Sequence, residues 1–219
     1  MISIAIDGPA GAGKSTVAKV VAQKLSYLYV DTGALYRAIA FFMQENNYED
    51  ESEIISALGK VKVNLKFIDD SQRVFLGDKD VTEKIRTPQI SMRASKISAI
   101  PLVREFLLNL QRDLSQKNNV IMDGRDIGTV ILPNADVKIF LTATPEVRAR
   151  RRHKEQLEKG LQSSYEEVLG DIIKRDYDDS NRAVAPLKRA DDAILVDTSE
   201  YTFDESVELV LRVIKENLI

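Results

Sequence analysis

Gly8-Pro9-Ala10-Gly11-Ala12-Gly13-Lys14-Ser15 follows a short apolar run, Ile2-Ser3-Ile4-Ala5-Ile6, and precedes a helical pattern that begins at about Lys14. The octapeptide fits G-x-x-x-x-G-K-[ST] without deviation. At average residue frequencies a chance match arises in about 1% of chains of this length, and chance does not also place a strand before it and a helix after it. The glycines let backbone N–H groups turn inward onto phosphate oxygens, where a side chain would collide. The new helix points its positive end at the same oxygens. Lys14 suits the β- and γ-phosphates of a nucleoside triphosphate, and Ser15 suits Mg2+. The stretch reads as a phosphate-binding P-loop.

Working outward, Val17, Val20, Val21 and Leu25 recur at spacings that give the following helix one buried face. Leu28-Tyr29-Val30 reads as a second strand, with a helix through Phe41 after it. Val120-Ile121-Met122, Val137-Lys138-Ile139-Phe140-Leu141 and Ala193-Ile194-Leu195-Val196 are three more apolar strands. Strands alternating with helices predict an α/β three-layer fold around a five-stranded parallel sheet, with ligands at the carboxyl ends of the strands. The last helix carries Phe203, Val207, Val210, Leu211, Ile214 and Leu218 on one stripe, expected to be core. Two stretches break the alternation. Val61–Phe67 and Arg73–Leu76 predict a hairpin about Asp69-Asp70-Ser71-Gln72, within a small α+β insertion at about 57–98. The charged stretch Arg148–Ser164, with Lys159-Gly160 near its end, suits a mobile lid better than a core helix. Residues 1–219 are therefore expected to form one domain with an insertion and a lid.

Composition narrows the chemistry. The chain is 44% hydrophobic and 30% charged, with a formal net charge of −3, which gives no sign of a general nucleic-acid surface. It has no cysteine and one histidine, His153, so disulfides, thiolate nucleophiles and multi-histidine metal centres are excluded. His153, set among arginines, reads as a bystander. No apolar run approaches the roughly 20 residues that span a bilayer, and the N-terminus lacks a basic signal-peptide region. A cytosolic location is expected. Nothing demands a partner chain, so a monomer is expected.

A P-loop alone does not separate a kinase from a switch, a motor or a nucleotide sensor. Arg37, Arg125, Arg175 and Arg182 stand at or near strand ends and loops, and Arg148, Arg150, Arg151 and Arg152 stand in the lid. Arginine holds phosphate through a planar fork, and a site handling two phosphorylated ligands needs several. Met122-Asp123-Gly124-Arg125-Asp126 puts Asp123 at a strand end, where a carboxylate holds Mg2+ directly or through its water. No N-K-x-D base motif of GTPases is present. A phosphate acceptor is already anionic and attacks without a general base, which fits the shortage of obvious bases, although Asp31 and Asp126 remain available to a hydroxyl acceptor.

Taken together, Gly8–Thr16, Val30-Asp31-Thr32-Gly33-Ala34-Leu35-Tyr36-Arg37, Asp123-Gly124-Arg125-Asp126-Ile127-Gly128-Thr129-Val130 and Arg175-Asp176-Tyr177-Asp178-Asp179-Ser180-Asn181-Arg182 resemble bacterial cytidylate kinases, in order and across nearly the whole chain. Departures are minor: Lys14-Ser15-Thr16 closes the loop and Thr32 stands where serine is also common, so the hydroxyl persists. The resemblance implies a P-loop core, a mobile lid and a monophosphate-binding insertion larger than in adenylate kinases. It implies ATP as donor, bound by Gly8 to Thr16 and by Arg148, with Mg2+ as cofactor, and CMP or dCMP as acceptor. It further implies that Arg37, Arg125 and Arg182 grip the acceptor phosphate. Arg175 and Asp179 would meet the ribose, and Ser95, Arg104 and Asp126 would read the base, with Thr32 also in the acceptor site. Lys14, Arg125, Arg151 and Arg152 are then the expected catalytic residues. Cytosine offers an amino donor beside acceptors, which suits an aspartate with an arginine, so UMP is expected to be a poor substrate. Other readings are a kinase of UMP, AMP or shikimate, a regulatory nucleotide-binding module without turnover, and a structural protein with an accidental P-loop.

Overall fold

The structure, a computed structural model, describes residues 1–68, 71–158 and 160–218. Asp69 and Asp70 of the expected hairpin turn, and Lys159 of the expected lid, lie outside the described residues. Five strands form one parallel sheet: β1 (Ser3–Asp7), β2 (Leu28–Asp31), β6 (Val120–Gly124), β7 (Val137–Thr142) and β8 (Ile194–Asp197). Their order is β2-β6-β1-β7-β8. All four pairings are parallel, with Ile6 opposite Asp123 on one side and Ile139 on the other. The continuous Val/Ile/Leu runs suit strands covered on both faces, and Ile4, Ala5 and Ile6 are fully buried.

Helices α1 (Lys14–Leu25) and α8 (Phe203–Asn217) cover one face. Val17, Val21, Val207, Val210 and Ile214 pack there on Ile4, Ile6, Ile139 and Leu141. In α8 the expected stripe holds for Val207, Val210, Leu211 and Ile214, but Phe203 is 46% exposed. Phe203 opens the helix just after its N-cap, Thr202, and so stands at the rim of the sheet instead of over it.

The other face carries α2 (Thr32–Glu45) and α5 (Pro101–Lys117). Between them lie α3 (Glu51–Ala57), strands β3 (Val63–Ile68), β4 (Ser71–Leu76) and β5 (Lys79–Asp80), and α4 (Pro88–Ile97). The three strands form a separate antiparallel sheet. Its apolar face does not close on itself: Leu65, Val74, Val81, Ile85 and Ile90 share one core with Leu35, Ile39 and Met43 of α2.

The charged stretch after β7 is helical. Helix α6 (Pro145–Glu158) packs against α7 (Tyr165–Asn181) through a small third core of Ala149, Val168 and Ile172. Arg, Ala, Glu, Gln, Lys and Leu are good helix formers. The narrow buried face was hidden in the sequence because one of its members is an arginine, Arg148, 3% exposed.

Candidate active site

The carboxyl ends of β1, β2, β6 and β8 open into one cleft of about 690 Å³. The P-loop forms its floor. Gly11 and Gly13 take left-handed φ values of 74° and 85°, the conformation that glycine adopts without penalty. Gly8 has a different task. Its φ is 149° and an added Cβ would sit 2.0 Å from the Leu141 carbonyl oxygen, so Gly8 lets the chain pass under β7. Gly8 and Pro9 do not line the cleft, whereas Ala10 through Thr16 do.

Lys14 is buried, and its Nζ donates to the Pro9 carbonyl at 2.8 Å. Burial lowers the Lys14 pKa and Arg125 lowers it further, while Asp123 and Asp7 oppose the shift. An anionic phosphate would reverse that balance. Asp123, the residue before the end of β6, is a buried carboxylate, with Ser15 Oγ donating to Oδ2 at 2.8 Å and Tyr29 Oη donating to Oδ1 at 2.7 Å. Burial and then Asp31 raise its pKa, while Lys14 and the two hydroxyls oppose the rise. The oxygens of Ser15 and Asp123 are hard ligands of the kind Mg2+ takes. Among the described residues no cluster of three His, Cys, Asp or Glu could hold a metal by itself. The donor set therefore fits a cation that arrives on a triphosphate and keeps most of its own water.

Around this floor, guanidinium groups rest on carboxylates. Arg37 Nη2 meets Asp31 Oδ2 at 2.6 Å. Arg37 does not follow β2 directly: it is on the second turn of α2 and reaches back to Asp31, the N-cap of that helix. Arg125 Nε meets Asp179 at 2.9 Å, and Arg175 Nε approaches the same carboxylate at 4.0 Å. Burial alone would raise the Asp179 pKa, but Arg125 and Arg175 hold it below its ordinary value. Burial, with Arg125 beside it, brings Arg175 down to about 10. At the far end Asp126 is paired with Arg104 and lies 3.6 Å from Arg182. Ser95 Oγ is 3.4 Å from Asp179, and Thr32 Oγ1 donates to the Asp123 carbonyl at 2.8 Å, tying the start of α2 to β6. Among the cleft's lining side chains, eight are cationic and five acidic, an excess of three positive charges in a chain of net charge −3. Such a cavity selects polyanions.

One cleft thus brings together a P-loop, a row of arginines and, at the far end, a buried Asp–Arg pair. The model of the cytidylate kinase family matches residues 4–216. The chain belongs to the cytidylate kinase family. A cytidylate kinase of Carboxydothermus hydrogenoformans is 54% identical over 213 residues, covering 96% of each chain. One of Thermosipho melanesiensis is 47% identical, covering 97% of this chain and 96% of the relative. An uncharacterized protein from Eubacterium ventriosum, 14% identical, superposes with a TM-score of 0.54 over 98% of this chain and 99% of that one, a likeness of fold.

Within this cytidylate kinase framework, most of the expected site residues meet in the cleft: Lys14, Ser15, Thr32, Arg37, Ser95, Arg104, Asp123, Arg125, Asp126, Arg151, Arg152, Arg175, Asp179 and Arg182 all line it. Arg148 does not. Its guanidinium is buried under the P-loop, donating to the carbonyls of Ala143 and Ala10 at 2.7 and 3.0 Å and to Asp176 at 2.6 Å. It braces the loop from behind, so the expected contact with ATP has no support in this geometry. Arg151 lines the cleft but donates to the Thr198 and Tyr201 carbonyls at 2.7 and 3.2 Å, while the Arg152 side chain lines the cleft with no hydrogen bond or ion pair among the described residues. His153 Nε2 lies 2.9 Å from the Ser163 carbonyl, holding the turn between α6 and α7.

Sequence reasoning passed over Asp7, the last residue of β1. Its carboxylate accepts from the backbone N–H groups of Ile127 and Gly128 at 2.8 and 2.7 Å, anchoring the turn that carries Asp126. Burial pushes its pKa up to about 6, against the two backbone hydrogen bonds. The signal was available in outline, as a carboxylate at a strand end one residue before the loop. Its partners, 120 residues away, were not. Tyr29, which holds Asp123, and the rim residues Thr198, Tyr201 and Phe203 were also missed.

Proposed function

We propose that this chain transfers the γ-phosphoryl group of ATP to the phosphate of CMP or dCMP, giving CDP or dCDP and ADP. One observation carries the reading: a single cleft joins the P-loop to the buried Asp126–Arg104 pair through a row of guanidiniums. ATP lies along the loop, its phosphates facing the backbone N–H groups, the N-terminus of α1 and Lys14. Ser15 and Asp123 would hold Mg2+, which would supply charge neutralisation at the β- and γ-phosphates.

Arg37, Arg125 and Arg182 take the acceptor phosphate, exchanging aspartate or backbone partners for phosphate oxygens. Asp179 and Arg175 meet the ribose. Asp126, Arg104 and Ser95 read the base: the carboxylate accepts from the cytosine amino group and the guanidinium donates to the neighbouring acceptors. The acceptor phosphate needs no general base, so in-line placement and charge neutralisation perform the step. Arg151 and Arg152, from the lid, stabilise the transferring group and exclude water. Arg148 acts at one remove, by holding Ala10 of the loop in place.

On this reading the chain acts as a monomer, in the cytoplasm. ADP release from Mg·ATP, measured with CMP, dCMP, UMP, AMP or shikimate and with no acceptor, tests the proposal. CMP and dCMP should drive turnover with CDP or dCDP as product. Turnover dependent on another acceptor, or on none, overturns it.

A further inference from the structure

Strand β2 is an edge of the parallel sheet, so its outward-facing backbone groups have no strand to pair with. At Asp31 those groups are satisfied by a side chain of the insertion. The Asp31 N–H donates to Gln72 Oε1 at 2.8 Å, and Gln72 Nε2 donates to the Asp31 carbonyl at 3.2 Å. One planar amide thus supplies an acceptor and a donor to the same residue, in the way a neighbouring strand would. Only Asn and Gln carry both functions side by side.

The anchor point is not a neutral one. Asp31 Oδ1 accepts from the Ala34 N–H at 3.0 Å, which starts α2, and Oδ2 pairs with Arg37 at 2.6 Å. The packing is close: a Cβ at Gly33 would lie 3.2 Å from Asp31 Oδ1 and 3.3 Å from Arg37 Nη1. Asp31 and Arg37 line the cleft while Gln72 does not.

We propose that Gln72 is a positioning residue for the acceptor phosphate, latching the insertion's hairpin to Asp31 and through it fixing Arg37. The inference rests on the proposed function for what Arg37 grips. The latch itself rests only on the two hydrogen bonds. It implies that the insertion contributes to acceptor binding through the edge of β2 as well as through the helix that carries Ser95. It also implies a smaller effect at the ATP end, because the hydrogen bonds of Gln72 and Asp31 run to each other, to Ala34 and to Arg37 and not to the P-loop.

Gln72→Ala should raise the KM for CMP about tenfold, the effect of losing one to two ordinary hydrogen bonds. kcat and the KM for ATP should stay within about twofold. Gln72→Glu keeps an acceptor for the Asp31 N–H but turns a carboxylate oxygen toward the Asp31 carbonyl, so it should be at least as impaired as the alanine variant. A residue that only fills space would tolerate glutamate. Amide hydrogen exchange, followed by NMR without substrates, provides a readout independent of the acceptor: the Asp31 N–H should exchange at least about tenfold faster in Gln72→Ala than in the wild type. Equal exchange at Asp31 overturns the latch. Faster exchange with an unchanged KM overturns its role at the acceptor phosphate, as do parallel losses in kcat and both KM values. If wild-type protein ignores CMP, the proposed function fails instead, and the KM comparison is made with whichever monophosphate it accepts.

Discussion

Replacing Asp126 by Asn keeps the shape of the side chain and removes its charge from between two guanidiniums. Asp126, Arg104 and Arg182 are all nearly inaccessible, with side chains 6 to 7% exposed. At the 3.6 Å separation from Arg182, unit charges interact by about 4–5 kcal/mol at an effective dielectric constant near 20. Desolvation of the carboxylate offsets much of this. The amide keeps one acceptor oxygen, so a net destabilisation of about 2–3 kcal/mol is expected in urea melts, below the 3–5 typical of deleting a buried partner outright. The functional effect is separate. The amide oxygen turns to Arg104, the closer guanidinium, which leaves the amino group as the remaining polar function. That donor opposes the amino group of cytosine and complements O4 of uracil. A hydrogen bond to a charged group contributes about 1.5–3 kcal/mol, so kcat/KM for CMP should fall about 10- to 150-fold. UMP should lose less, and the CMP:UMP ratio should drop at least about tenfold. Steady-state ADP release with each acceptor, well below the melting temperature of the variant, gives both numbers. A stable Asp126→Asn protein with an unchanged ratio would refute the base assignment.

Two further outcomes follow from the same geometry. Lys14→Ala should lower kcat by at least about a hundredfold with a smaller change in the KM for CMP, because the charge Lys14 balances is greatest in the transition state; a raised KM for ATP with kcat unchanged would show uniform binding instead. Asp7 supplies the pH dependence. Its folded pKa of about 6 lies above the ordinary 3.8, so between those values the folded state binds more protons and stability falls as pH rises. About two pKa units correspond to about 3 kcal/mol. Urea melts of wild type and Asp7→Asn should therefore shift in the variant's favour by about that much between pH 4 and pH 7, and a pH-independent difference would contradict the burial argument.

The five strands were legible because parallel strands buried on both faces are continuous apolar runs, and the P-loop because each of its residues meets a local steric or electrostatic demand. Asp123 and Arg125 were legible as polar residues directly after a buried strand. What could not be read was which charge each arginine would meet. Arg148 and Arg152 lie on consecutive turns of α6, yet one is spent on backbone carbonyls beneath the loop and the other faces the cleft. The charge density of Arg148–Ser164 resembled a solvated flap because the buried positions of α6 are an arginine and an alanine. Gln72 looked like a turn residue, since nothing local marks an amide that will cap the edge of a strand 41 residues earlier.

The most direct test of the account is the ratio of kcat/KM for CMP to that for UMP in the wild-type protein at saturating Mg·ATP. A base site built around a buried carboxylate paired with an arginine predicts a ratio of about 100 or more in favour of CMP; comparable values for the two acceptors would contradict it.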